Sequence, residues 1–277
     1  MTFERQQLTA RVLTASVGIP VAVVCSLVGG IPFLLAMNLV IGAGLFEFYR
    51  MVEAKGIRPY KTIGIILGLV VAWYVYFQGG IFSSLFITVA LVVVMVLELF
   101  RKDGELAVFH MSTTILGVFY VAWLGSHVIL LRQLGEGLAQ ADLGGFFVIF
   151  AFSLAWGADT GAYFVGNLVG RTRLLPRVSP GKSVEGALGG VAAALGVAFL
   201  ARATVIPMLT VVDAITLGLV APIMGILGDL VESLMKRDVK IKDTSHALPG
   251  HGGMLDRFDS VLFVAPLVYY YLRFLVV

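Results

Sequence analysis

Nine stretches of this 277-residue chain stay apolar for close to the length of a bilayer crossing, and about 20 such residues are what a transmembrane helix requires. In lipid every backbone N–H and C=O must be bonded within the protein, so segments of this kind are helical. The expected spans are 12–29, 31–49, 61–78, 81–100, 111–133, 144–168, 184–206, 212–235 and 259–277. Gly29-Gly30 and Gly79-Gly80 mark tight reversals between them. Charged residues make up only 13% of the chain, against about 25% in soluble domains. The expected fold class is all-α, a polytopic integral membrane protein. The opening "MTFERQQLTARVLTASVGIPVAVVCSLVGG" has the charged start and apolar run of a signal peptide, but Val24 suits cleavage before Cys25 poorly and many spans follow. It reads as a retained first helix. Cys25 is the single cysteine, so one chain can build neither a disulfide nor a thiolate zinc framework.

Of the twenty Lys and Arg residues, seventeen fall at the N-terminus and in the 2–3, 4–5, 6–7 and 8–9 connections. Arg132, Arg202 and Arg273 alone lie on the other side. This bias puts the N-terminus in the cytoplasm and the C-terminus outside, in the cytoplasmic (inner) membrane. The net charge of +3 then reflects topology, and no nucleic-acid partner is expected. The polar 6–7 and 8–9 loops face cytosolic metabolites. The chain divides into residues 1–140, five helices serving as scaffold and lipid-access or dimer surface, and residues 141–277, four helices carrying the chemistry.

Carboxylates inside predicted spans cost about 2.5–3.5 kcal/mol each at a helix centre, so they face a protein interior or a wet cavity. Asp159 lies in "AWGADTGAYFVG"; Asp229 and Glu232 lie in "GILGDLVESLMKR". Asp229, Glu232, Ser233 and Lys236 share one helix face by spacing. A helix–helix hydrogen bond, or an acid paired with Lys236, is the structural alternative for these acids. Glu47 and Glu98, near helix ends, read as interfacial and receive no role. The stretch "GRTRLLPRVSPGKSVEGALGG" sets Arg171, Arg173, Arg177 and Lys182 around an expected turn "SPGKS" that begins at Ser179. Arg forks, Lys charges and a helix start suit phosphate, although such a loop could serve topology alone. The Walker spacing is absent.

The segment "KDTSHALPGHGGMLDRFD", Lys242 to Asp259, concentrates polarity between two apolar runs. Asp256 and Asp259 stand three apart at a helix start, with Gly252 and Gly253 allowing close backbone approach. Oxygen ligands of this kind suit Mg2+, which takes one or two carboxylates together with substrate phosphates. Lys236, Arg237, Lys240 and Lys242 surround them with positive charge. His246 and His251, without thiols, make a poor zinc pair and read as hydrogen-bond donors to phosphate or backbone.

"SLMKRDVKIKDTSHALPGHGGMLDRFD", Ser233 to Asp259, resembles the signature of the phosphatidate cytidylyltransferase (CDP-diacylglycerol synthase) family: Ser-x-apolar-Lys-Arg, Lys-Asp, then Pro-x-His-Gly-Gly-x-x-Asp-Arg-x-Asp. "DTGAYFVG" from Asp159 and "SPGKSVEG" from Ser179 resemble two further family stretches in the same order. The resemblance covers roughly residues 156–260. It departs at Gly181, where family members commonly carry the first lysine of "SPKKT", so Arg177 or Lys182 is left to cover that role.

The resemblance implies transfer of the cytidylyl group of CTP to phosphatidic acid at the bilayer, giving CDP-diacylglycerol and pyrophosphate. It implies Mg2+, a second monovalent cation such as K+, and a homodimer. On this reading Asp229 and Asp256 are the leading metal ligands, with Asp259 and Asp159 in support. Lys236, Arg237, Lys242 and Lys182 are the phosphate cations; the first three are catalytic, together with Asp229 and Asp256, and Lys182 binds substrate phosphate. Ser179, Arg177, Asp243, His246, His251, Gly252, Gly253 and Arg257 complete the substrate-binding set. The rival readings are a related CTP-dependent lipid kinase, a cytidylyltransferase for another lipid phosphate, and a secondary transporter with intramembrane acids.

Overall fold

The computed structural model describes residues 3–78, 84–102, 104–136, 138, 142–241, 244–245 and 252–277, with backbone alone for residues 3–15, 84 and 85. These residues form helices α1 (Phe3–Val28), α2 (Gly30–Glu53), α3 (Lys61–Gln78), α4 (Ser84–Leu99), α5 (Ala107–Leu134), α6 (Gly144–Val169), α7 (Val184–Thr204), α8 (Val211–Asp238) and α9 (Leu255–Val276). Each overlaps one expected segment. Seven of the nine, α2, α3 and α5–α9, are long and apolar enough to cross a bilayer; α1 and α4 have shorter apolar stretches, Ser16–Val28 and Phe86–Leu99. The protein is an all-α polytopic membrane protein. One hairpin interrupts the helices: β1 (Arg173–Leu175) pairs antiparallel with β2 (Ser179–Ser183).

Polar contacts gather the helix ends into two groups. At one end Lys55, after α2, pairs with Asp238 of α8 at 2.6 Å, and Arg101, after α4, donates to the Arg58 carbonyl at 2.9 Å. At the other, Arg132 of α5 grips Asp142, ahead of α6, with bonds of 2.9 and 2.6 Å. Tyr271 of α9 donates to Asp213 of α8 at 2.8 Å there. Gly29 turns α1 into α2 with φ +67°, and any side chain on it would collide with the Arg132 guanidinium. The connections rich in Lys and Arg therefore meet at one end of the bundle.

Helix starts follow ordinary capping chemistry. Thr210 and Asp213 form a reciprocal capping box on α8, and Ser183 caps α7 by accepting from the Gly186 N–H at 3.1 Å. Small residues set how closely the C-terminal helices approach. A Cβ on Gly161 of α6 would stand 2.7 Å from the Gly189 carbonyl of α7, and one on Gly228 of α8 would stand 2.5 Å from the Asp259 carbonyl of α9. Backbone-to-backbone packing of this kind is how small residues bind helices together in lipid. Here it draws Asp159, Asp229 and Asp259 towards a common space.

Candidate active site

Helices α6, α7, α8 and α9 and the hairpin line a cavity of about 530 Å³, with Asp159, Asp229, Asp256, Asp259, Lys182, Lys236 and Arg257 among its walls. Four carboxylates from three separate stretches of the chain thus share one hollow. Each helix is fixed by the glycine contacts above, so the acids are held by backbone packing rather than by one another.

Every acid in the hollow has a defined partner. Lys182 reaches from β2 to Asp229, with Nζ 2.7 Å from Oδ2, while Ser233, one turn on, donates to Asp229 Oδ1 at 3.0 Å. Lys236 bridges Glu232 and Asp256, donating at 2.8 Å to each. Asp256 Oδ2 also accepts from Thr244 N–H and hydroxyl, both at 3.1 Å, and from Gly253 N–H at 2.8 Å. Asp159 accepts from the Ser260 hydroxyl at 3.1 Å, and Asp259 from the Ser260 N–H at 2.6 Å. Charge-assisted bonds of these lengths are the strong class. Glu232 is fully buried and its Oε1 has no partner among the described residues. Lys236 therefore answers two acids at once.

The donor set fits a hard divalent cation. Four carboxylates line the hollow, and hard oxygen ligands of this kind suit Mg2+. Among the described residues no three acid or histidine side chains form a ready cage. Asp229 and Asp256 are the acids engaged by lysine ammonium groups, those of Lys182 and Lys236.

The remaining expected residues are distributed unevenly. Ser179 lines the cavity. Arg177 occupies the exposed turn of the hairpin and Arg237 is exposed, donating to the Val178 carbonyl at 3.4 Å; neither lines the hollow. Gly252 takes φ +76° and wraps Asp256, while Gly253 lies against Thr244 and Glu47, where a side chain would collide with both. Lys242, Asp243, His246 and His251 lie outside the described residues. The expected turn at "SPGKS" is strand β2 instead, and the reversal falls at Pro176, Arg177 and Val178. Arg173 opposite Ser183 and Leu175 opposite Ser179 set the register, and this directs Lys182 across to α8.

Glu47 and Glu98 are corrections. Read as interfacial acids without a role, both are buried and bonded within the protein. Glu98 is buried against His110 at 3.1 Å and against Arg101. Glu47 is 3% exposed and accepts from Ser245, Met254, Thr244 and Leu255. The signal for Glu47 was available, since an acid within "GLFEFYR" meets the same criterion that singled out Asp229. Tyr163 and Asn167, one and two turns beyond Asp159, also line the cavity.

Comparison with known proteins covers nearly the whole chain. The model of the cytidylyltransferase family matches residues 9–275. A phosphatidate cytidylyltransferase of Synechocystis sp. is 37% identical, over 95% of this chain and 96% of that protein. The phosphatidate cytidylyltransferase of Bacillus subtilis is 32% identical over the same shares. That of Haemophilus influenzae is 41% identical over 47% of this chain.

Proposed function

The chain belongs to the cytidylyltransferase family, and from that premise we propose that it transfers the cytidylyl group of CTP to phosphatidic acid, releasing pyrophosphate. The observation that carries the reading is the shared hollow, in which four carboxylates from three helices face lysines from the hairpin and α8. A nucleoside triphosphate needs both signs of charge: acids for its metal and cations for its phosphates.

A phosphate-monoester oxygen of the lipid attacks the α-phosphorus of CTP, the bond from that phosphorus to the bridging oxygen breaks, and pyrophosphate leaves with the electron pair. The nucleophile is already anionic, so no Ser-His-Asp or Cys-His device is required. Asp229 and Asp256 would hold Mg2+, with Asp259 and Asp159 behind them; bound there, the ion would neutralise charge developing on the phosphates. Lys182 and Lys236 exchange their carboxylate partners for phosphate oxygens as the nucleotide enters. Their ammonium groups orient the triphosphate and stabilise the leaving pyrophosphate. Arg257 faces the same hollow and supplies a further fork.

We place the hollow on the cytoplasmic side of the inner membrane, since the basic connections gather at its end of the bundle and basic loops are retained inside. Nine crossings, with the C-terminus outside, satisfy that division.

Purified protein in detergent, given CTP, phosphatidic acid and Mg2+, is expected to release pyrophosphate in proportion to CDP-diacylglycerol formed. Asp229→Asn raises the Mg2+ concentration for half-maximal rate at least tenfold or eliminates the activity, in line with the loss expected when metal affinity is weakened. Release of CDP instead of pyrophosphate marks a kinase, and an unchanged Mg2+ titration removes Asp229 from the metal site. Substrate accumulation in sealed vesicles without turnover marks a transporter.

A further inference from the structure

Helix α2 belongs to the half of the chain that carries none of the cavity's acids, yet its Glu47 reaches into the polar segment before α9. The carboxylate accepts four bonds there. Oε1 takes the Ser245 hydroxyl at 2.6 Å and the Met254 N–H at 3.0 Å; Oε2 takes the Leu255 N–H at 2.8 Å and the Thr244 hydroxyl at 3.2 Å. The first N–H groups of a helix have no partner within it, and α9 has no side-chain cap of its own. Glu47 provides the cap from 207 and 208 residues away in sequence. Among the described residues no lysine or arginine pairs with it, so these donors alone hold a buried carboxylate, which would otherwise be costly.

The same donors run on to Asp256. Thr244 gives Asp256 Oδ2 its N–H at 3.1 Å and stands 3.1 Å from it through the hydroxyl already shared with Glu47. A threonine hydroxyl has one proton, so the two carboxylates divide a single donor. Gly253 donates to Asp256 at 2.8 Å while its Cα faces Glu47 and Thr244 closely enough that only hydrogen fits there. Moving Glu47 therefore moves the turn that aims Asp256.

We propose that Glu47 is a positioning residue for the nucleotide site: from α2 it clamps Thr244, Ser245, Met254 and Leu255 and so sets the placement of Asp256 in the cavity. This rests on the cytidylyl-transfer reading for the role of Asp256. Displacement of a reacting group by about 1 Å can cost on the order of 100-fold in rate, so a clamp with no substrate contact still governs turnover.

The test uses the full chain in detergent with Glu47→Gln and, separately, Thr244→Val. Whichever way it turns, the amide of Glu47→Gln sets its NH2 against a backbone N–H that can only donate, of Met254 or Leu255, and against a hydroxyl that must reverse to accept. It is expected to lower kcat by roughly 10–100-fold and to raise the Mg2+ half-saturation several-fold, as supporting residues of metal sites do. Amide hydrogen exchange at Met254 and Leu255 quickens in the same variant, measured without substrate or metal. Thr244→Val keeps the Glu47 bonds to Met254 and Leu255 and is expected to shift the Mg2+ half-saturation in the same direction by less. A Glu47→Gln protein that melts earlier yet keeps wild-type kcat and Mg2+ dependence per folded molecule overturns the proposal, and so does one unchanged throughout. Where Glu47→Gln does not fold, a normal Mg2+ titration of Thr244→Val overturns it. A wild-type protein that makes no CDP-diacylglycerol defeats the functional reading instead; the exchange at Met254 and Leu255 then decides the clamp, and wild-type protection in Glu47→Gln overturns it.

Discussion

Asp256→Asn abolishes turnover, by at least about a hundredfold, in a protein that still inserts and folds. Both carboxylate oxygens of Asp256 are occupied by groups that donate: Lys236 on Oδ1, and Thr244 and Gly253 on Oδ2. An amide must turn its NH2 against one of these sets and also loses the charge proposed to hold Mg2+. Removing one preorganised electrostatic contact in an active site costs about 10²–10³ in kcat, and the change falls on a proposed direct ligand here. Circular dichroism and gel filtration check the fold, and lipid product formation checks the rate. Near-normal activity at saturating Mg2+ takes Asp256 out of the site.

Lys236→Met has the largest expected effect on stability. Its ammonium is the shared partner of Glu232, whose side chain is 0% exposed, and of Asp256, at 6%. Deleting it leaves two buried acids facing one another, and breaking a buried ion pair from one side costs about 3–5 kcal/mol. In a chain of this size that corresponds to a fall in melting temperature on the order of 10 °C. Adding Glu232→Gln to Lys236→Met removes one of the stranded charges and is expected to recover part of the loss, because contacting residues couple. Activity should not return with it, since the proposed phosphate contact of Lys236 is gone. A single variant that melts like wild type would show that the two acids do not depend on this lysine.

The sequence carries much of this site because charge is expensive in a membrane. Asp159, Asp229, Asp256 and Asp259, with Lys182 and Lys236, are legible as polar groups inside or beside apolar runs, and the fold brings all six to one hollow. The glycines of α6 and α7 are visible too, but which backbone each one meets is not. Strand β2 was hidden by its own residues, since a five-residue "SPGKS" with Pro180 and Gly181 has turn composition, and its pairing depends on a reversal at Pro176–Val178. Glu47 was visible as an acid and hidden in purpose. Two of its four donors are backbone N–H groups some two hundred residues away, and every residue but proline has one, so no spacing rule marks the partner. Arg177 and Arg237 are cations beside a motif in sequence that do not line the hollow: one sits in the hairpin turn, and the other donates to the Val178 carbonyl of that turn.

The central claim is that the hollow between α6, α7, α8, α9 and the hairpin joins CTP to a lipid phosphate at the α-phosphorus. It is tested most directly by supplying CTP labelled at the α-phosphate or at the γ-phosphate, with phosphatidic acid and Mg2+, and extracting the lipid. The account predicts label in the lipid from the α-position alone, with γ-label leaving as pyrophosphate. Label entering the lipid from the γ-position, or none from either, would contradict it.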